Sequence, residues 1–372
     1  MNPHYDYVIV GAGLTGSVLA ERLHSSGKSV IVIDKNPEPG GNVRDHLHPD
    51  GYYIHDHGPH IFHAHKKWIW DYLQRFTTFI PYFHQARSWV SGSLYTIPIN
   101  LQTIREVYPD IEGPKDAEEL IARITASPPD GDHLEAHCIS MIGETLYRLL
   151  IEGYTEKQWG THPTELPKSI IARLPVRAST FNDHYHFSPY SGIPNQGYTN
   201  MVRALLDNVD TVYNTDYFEN REYWETRGNK LVYTGSIDEY WGYQYGLLGY
   251  RSMQFTHKAF DSLQQGCACY AYPEKSVTYT RSTEHAHFYG MNPKESVVTY
   301  EHSREWEPGM DRHYPLLHGD HRERYNQYRA LKTDTIFAGR LGSYQYLDMH
   351  QAVAQAFTLA EKLSGVKQHV HV

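Results

Sequence analysis

Cysteine is scarce in this 372-residue chain: Cys138, Cys267 and Cys269 are its three, an odd number at spacings that suit neither a disulfide framework nor a zinc site. That scarcity points to the cytosol. Excess positive charge is also absent, because 34 lysines and arginines stand against 43 aspartates and glutamates for a net charge of −9. Nucleic-acid phosphates would be repelled overall, so no nucleic-acid partner is expected and an anionic ligand needs a local basic pocket. No apolar run approaches the roughly 20 residues of a bilayer span, and the run Tyr7 to Ala20 lacks a basic flank and is broken by three glycines. No membrane association follows. Internal repeats and low-complexity tracts are missing too, and with 40% hydrophobic residues the composition describes a packed globular protein.

What the chain has in excess is 31 tyrosines and 25 histidines. Tyrosine packs its ring and hydrogen-bonds its tip, so most of these need no functional explanation. Position has to single out the rest.

The first such position is VIVGAGLTGSVLAERL. A strand-like run from Tyr7 to Val10 ends in Gly11, Gly13 and Gly16, and Ser17 to Leu23 has helix-forming character. In this dinucleotide-binding turn the first glycine permits the bend, the second admits a pyrophosphate, and the third lets helix pack on sheet, with free N–H groups aimed at phosphate. A second apolar run, Ser29 to Ile33, ends in Asp34, eighteen residues past Gly16, where a carboxylate can accept from ribose. FAD and NAD share this fingerprint. Lys35 and the pair Gly40-Gly41 with Asn42 follow as a second phosphate-contacting segment of the glutathione-reductase type. Near the other end, Asp334 to Arg340 reads as a strand running into Gly339, and Asp348 to Leu363 as a helix whose N-terminus, with Met349, would point at a flavin's pyrimidine edge. These choose FAD.

The fold class expected is α/β: a discontinuous Rossmann-like FAD-binding domain (1–75, 195–240 and 330–372) with an inserted helical domain (100–160) and an antiparallel β-sheet domain (76–99, 161–194 and 241–329). Lys115–Ile124 and Asp132–Tyr154 carry helical spacing, and Phe79–Ile99, Lys168–Ile193 and Ser276–Tyr300 alternate as strands do. The C-terminal strand is expected to return beside the first.

Several strings carry a resemblance: GPHIFH at 58–63, GYTEKQWG at 153–160, RLPVR at 173–177, GIP at 192–194, YRS at 250–252, YTR at 279–281, GRL at 339–341 and DMHQ at 348–351. In this order they resemble the bacterial UDP-galactopyranose mutases. The resemblance implies a redox-neutral interconversion of pyranose and furanose forms of a nucleoside-diphosphate sugar, in which N5 of reduced FAD attacks the anomeric carbon and displaces the diphosphate. It implies NADH or NADPH as external reductant, and a homodimer as a frequent assembly of the family. It assigns Arg173 and Arg281 to the pyrophosphate, Tyr185, Tyr314 and Tyr346 to the same phosphates, Tyr154, Thr155 and Trp159 to base and sugar, and Arg251 to sugar or flavin support. His63 is placed beside the flavin as a catalytic group, with His60 and Arg340 among the cofactor contacts. The histidine run is read without a metal.

The match departs around base and sugar. His84 stands where family members carry an asparagine, Gly249 where they carry a glutamate, and Leu150-Ile151 where an aromatic often stacks uracil. UDP-galactose is the first substrate expected; another hexose, a 6-deoxy sugar, or a dTDP or GDP carrier is the alternative. An FAD oxidoreductase of the amine-oxidase type is the competing function, and it has no use for paired arginines and tyrosines set for a diphosphate.

Overall fold

A computed structural model describes residues 4–171, 175–186 and 188–367. Its organising element is a five-stranded parallel sheet in the order Asp210–Val212, Val30–Ile33, Tyr5–Val10, Gly228–Tyr233, Ile336–Phe337. All four residues of Val30–Ile33 are buried, as a strand covered on both faces requires. One face packs on the helices Leu14–Ser25, Gly197–Leu205 and Met349–Ser364, and the other on Tyr217, Trp224 and Tyr240. The C-terminal strand pairs with Gly228–Tyr233, so it lies one strand away from the first rather than beside it. The segment 228–233 supplies the intervening strand.

A seven-stranded sheet runs Tyr314–Pro315, Tyr250–Phe260, Ser296–Glu305, Arg281–Glu284, Cys269–Ala271, Ala86–Val90, Ser93–Ile97. It is antiparallel except where Cys269–Ala271 meets Ala86–Ser88 in parallel. Lys168–Ile193 differs from the expected strand: 168–170 is a 3₁₀ turn, Arg177 makes an isolated bridge to Asn100, and among the described residues the strand is Tyr190–Pro194. Pro175 and Pro189 remove ladder donors along it. Tyr190–Pro194 and Phe79–Pro81 join Phe62–Ala64 in a separate three-stranded sheet packed beside the Rossmann core, not in the large sheet. Within Ser276–Tyr300, a 3₁₀ turn at His285–Tyr289 separates two strands.

Against the large sheet lie the helices Leu101–Val107, Pro114–Ile124, Leu134–Tyr147 and Gly153–Trp159, around a core of Leu120, Leu134, Ile142, Leu146 and Leu150. The helix expected over Asp132–Tyr154 is kinked at Gly143 (φ 75°), where a Cβ would lie 2.7 Å from Ile124, and loosens into a π turn at Arg148–Glu152.

The lysine of GYTEKQWG fastens this helical region to the large sheet. Lys157 Nζ donates to the carbonyls of Glu274, Val277 and Tyr279 at 2.9, 2.9 and 3.0 Å, and a Cβ on Gly153 would fall 2.2 Å from the Pro273 carbonyl. Lys157→Met should lower stability by about 2–3 kcal/mol, since three carbonyls lose a charged donor. The urea midpoint measures it, and a midpoint equal to that of the parent chain contradicts this role.

Candidate active site

The dinucleotide turn is built by close approach. Gly11 sits at φ 108°, and a Cβ there would lie 2.1 Å from Thr234 Oγ1; a Cβ on Gly16 would lie 2.0 Å from the Gly11 carbonyl. Gly13 and Gly41 face each other, Cβ of the second falling 3.2 Å from Cα of the first, which leaves a slot walled by backbone. Asp34 is buried and accepts from the amides of Ala12 (2.7 Å) and Asn36 (2.8 Å), so the carboxylate is held at the strand end. The cavity runs from Asp34, Lys35 and Asn36 past Gly11–Gly16 and Asn42 to His60, Gly339, Arg340 and Met349. Asp348 caps the sixteen-residue helix Met349–Ser364 through a capping box with Gln351, and that helix's N-terminus is at the far end of the cavity. Two helix N-termini, backbone-lined glycines and an anchored acid fit an extended dinucleotide such as FAD.

Beyond the cavity is a cleft of aromatic and cationic side chains. Arg281 is centred in it: Nε and Nη2 donate to both oxygens of Glu301 at 2.8 and 2.9 Å, and Glu301 is 1% exposed. The two residues are register partners on adjacent strands. Burial and the Tyr154 hydroxyl's neighbours push that phenol up, while the Arg281 cation opposes the shift. Tyr314 is pushed up to about 12 by burial and by Tyr346, again opposed by Arg281. The rings of Tyr314 and Tyr346 are 5.4 Å apart, Trp159 lies 6.2 and 6.1 Å from them, and the Arg340 guanidinium sits 5.6 and 5.5 Å over the same pair. Arg340 also donates to the His313 and Leu347 carbonyls, so one cation ties the cofactor cavity to the cleft. Thr155 is buried at the base of the same helix as Tyr154 and Trp159.

Histidines form the opposite wall. His63 stacks on His186 at 3.8 Å, contacts Ser188 Oγ at 3.2 Å, and lies 5.0 Å from His350. His84 is 6% exposed, 5.3 Å from the Tyr185 ring, with no partner for Nδ1 among the described residues; burial, then Arg281 and His63, lower it to about 3. His60 donates from Nδ1 to the Gly58 carbonyl at 2.8 Å, and burial holds it well below the ordinary range. His63, Asp348 and His350 also bring one ligand atom each within 4.8 Å, a convergence hidden by their separation in sequence.

A family model described as UDP-galactopyranose mutase matches residues 149–346, over half the chain, and a model of an NAD(P)-binding Rossmann-like domain matches residues 9–76. The chain belongs to the UDP-galactopyranose mutase family. It is 35% identical to a probable UDP-galactopyranose mutase of Klebsiella pneumoniae over 96% of this chain and 95% of that protein. It is 32% identical to a dTDP-fucopyranose mutase of Escherichia coli over 95% of this chain and 97% of that protein. A crystal structure of reduced UDP-galactopyranose mutase superposes with a TM-score of 0.75 over 97% of this chain and 94% of its own, at 15% identity, which establishes the shared fold.

Within this member of the mutase family, most of the singled-out side chains converge on the cleft. Arg173 lies outside the described residues. The Arg251 guanidinium donates to the Gln158 carbonyl at 3.0 Å and to Ser303 Oγ at 3.0 Å, closing the C-terminus of the helix Gly153–Trp159. It thereby positions Trp159. Sequence reasoning missed Glu301, whose signal was a carboxylate inside the alternating run Ser296–Glu305, and Ser303, which has no distinguishing signal.

Acid sensitivity follows from the buried imidazoles. Burial lowers His84 and His285 to about 3 and His313 to about 4, and depresses His55 and His60. Unfolded, these groups take protons near pH 6.5 while the native chain does not, so stability is full above 6.5 and falls as pH drops toward 4. Each contributes a slope of about 1.4 kcal/mol per pH unit in that window. The urea-unfolding free energy should therefore drop between pH 7 and 5 with uptake of several protons; a flat profile contradicts it.

Proposed function

We propose that this chain interconverts the pyranose and furanose forms of a nucleoside-diphosphate sugar without net oxidation, with FAD bound in the glycine-lined cavity and active when reduced. The observation that carries this reading is the Arg281–Glu301 pair facing Tyr154 and Tyr314, a fixed cation among phenols, which suits a leaving diphosphate and has no purpose in an amine oxidation. Bound reduced flavin supplies the nucleophile that takes the sugar from its phosphate. The side chains do the remainder.

Arginine has five N–H donors, and Glu301 takes two from Arg281, leaving three for phosphate oxygens in an orientation set before substrate arrives. Tyr314, Tyr346 and Tyr185 donate O–H bonds to the same oxygens, while Arg173 adds the second cation. Tyr154, Thr155 and Trp159 border base and sugar. His63 and His60 hold the flavin from the histidine wall, and His84 offers a neutral imidazole to the sugar. Oriented donors of this kind strengthen as charge moves onto the leaving group.

UDP-galactose is the first substrate proposed, on the Klebsiella relative. The Escherichia relative supports a dTDP-linked 6-deoxy sugar as the second reading. NADH or NADPH as reductant, a cytoplasmic setting and a homodimer complete the proposal.

Protein reduced with dithionite should equilibrate a member of a UDP-, dTDP- and GDP-sugar panel between ring forms, whereas oxidised protein should not; turnover by the oxidised form, or stoichiometric electron consumption, removes the reading. Arg281→Ala should slow kcat about 10²–10³-fold with the yellow flavin retained. Glu301→Gln should slow it less, about tenfold, because the guanidinium keeps one acceptor but loses its fixed orientation. Equal rates in Glu301→Gln and the parent contradict the positioning role.

A further inference from the structure

A second cavity of about 580 Å³ lies outside the site described above and shares no lining residue with the cofactor cavity. One wall is the helix His321–Ala330, which presents Arg322, Asn326 and Arg329; the facing walls present Thr333, Thr335 and Gln345. Among the described residues no aspartate or glutamate lines it. The segment 321–332 holds Arg322, Arg324, Arg329 and Lys332 against Glu323 alone, in a chain of net charge −9. Arg324 is committed to Asp320 and to the Leu247 carbonyl, whereas neither Arg322 nor Arg329 has a carboxylate within ion-pairing distance among the described residues.

We propose that this cavity binds a diphosphate-bearing anion. Arg322 and Arg329 are seven residues apart, about 10 Å along a helix and on one face of it, so long side chains can close on a diphosphate from its two ends. Hydroxyl and amide donors opposite complete a cationic concavity of a kind that an acidic protein does not build by average composition. Tyr325, on the same helix face, already stacks on Tyr344 at 5.3 Å, which fixes the floor between the arginines. The wall Gly342–Gln345 leads directly into Tyr346 of the cleft, so the anion would sit beside the candidate active site without entering it.

Calorimetric titration of inorganic pyrophosphate into the flavin-loaded Arg281→Ala protein, in which the cleft's own phosphate site is removed, tests this, with Arg322→Glu/Arg329→Glu added to Arg281→Ala as the second arm. Expected is binding to Arg281→Ala that weakens at least tenfold in the triple variant and falls with added salt. Both further altered arginines are exposed, and retained flavin absorbance confirms that the triple variant is folded. Equal binding by Arg281→Ala and the triple variant, or no binding to Arg281→Ala, overturns the proposal. A UDP titration of the Arg281→Ala protein separates a nucleotide from free pyrophosphate as the source by which binds tighter, and failure of both to bind there also overturns it.

Discussion

The cleft depends on one buried carboxylate. Glu301 is almost fully removed from water on a central strand, and a carboxylate there is tolerable only if a cation meets it. Arg281, directly across the ladder, meets it with two parallel bonds. The pair is asymmetric: the acid is sealed in, while the guanidinium keeps a quarter of its side-chain surface open toward the cleft. Glu301 thus neutralises the interior and fixes the cation in the same contact. Gly58 completes the seal, since a Cβ there would lie 3.3 Å from Glu301 Oε1. This gives the glycine of GPHIFH a reason in packing rather than in chemistry.

Around that pair, two regions distant in sequence are joined by Arg340. Its guanidinium fixes the His313 and Leu347 carbonyls, lines the cofactor cavity, and covers the rings of Tyr314 and Tyr346. A rotation of either tyrosine away from the cleft would uncover a cation whose hydrogen bonds hold the approach to the final helix. Cofactor cradle and phenol wall are therefore one mechanical unit, and the parallel sheet sets its dimensions by holding the first and last strands on either side of Gly228–Tyr233.

The parts legible in the sequence were those with short-range causes. The turn at Gly11–Gly16 and the acid at Asp34 are local backbone demands, and they read directly from spacing. The broken helix near Gly143 and the 3₁₀ turn at Lys168–Ile170 depended on where Ile124 packs and on prolines interrupting a pattern that otherwise alternates. Arg251 illustrates a reading that sequence leaves open. An arginine in a motif reads equally as a ligand contact or as a brace for the segment that makes the contact, and the bond from Arg251 to the Gln158 carbonyl is a bracing contact. Glu301 and Lys157 were hidden for the related reason that their partners lie on other strands and loops.

The histidine wall then acquires a physical purpose. A site for a diphosphate needs positive charge, and imidazoles beside Arg281 could supply it by taking protons. Burial prevents this for His84 and His60, and the Arg281 cation adds to the depression of His84. His84 and His60 therefore present neutral rings and hydrogen-bonding nitrogens, and positive charge stays with guanidiniums whose positions Glu301 and the Leu347 carbonyl fix. Attraction for the leaving group is directed at a few atoms instead of spread over the cleft, and that direction separates stabilising a transition state from merely holding an anion.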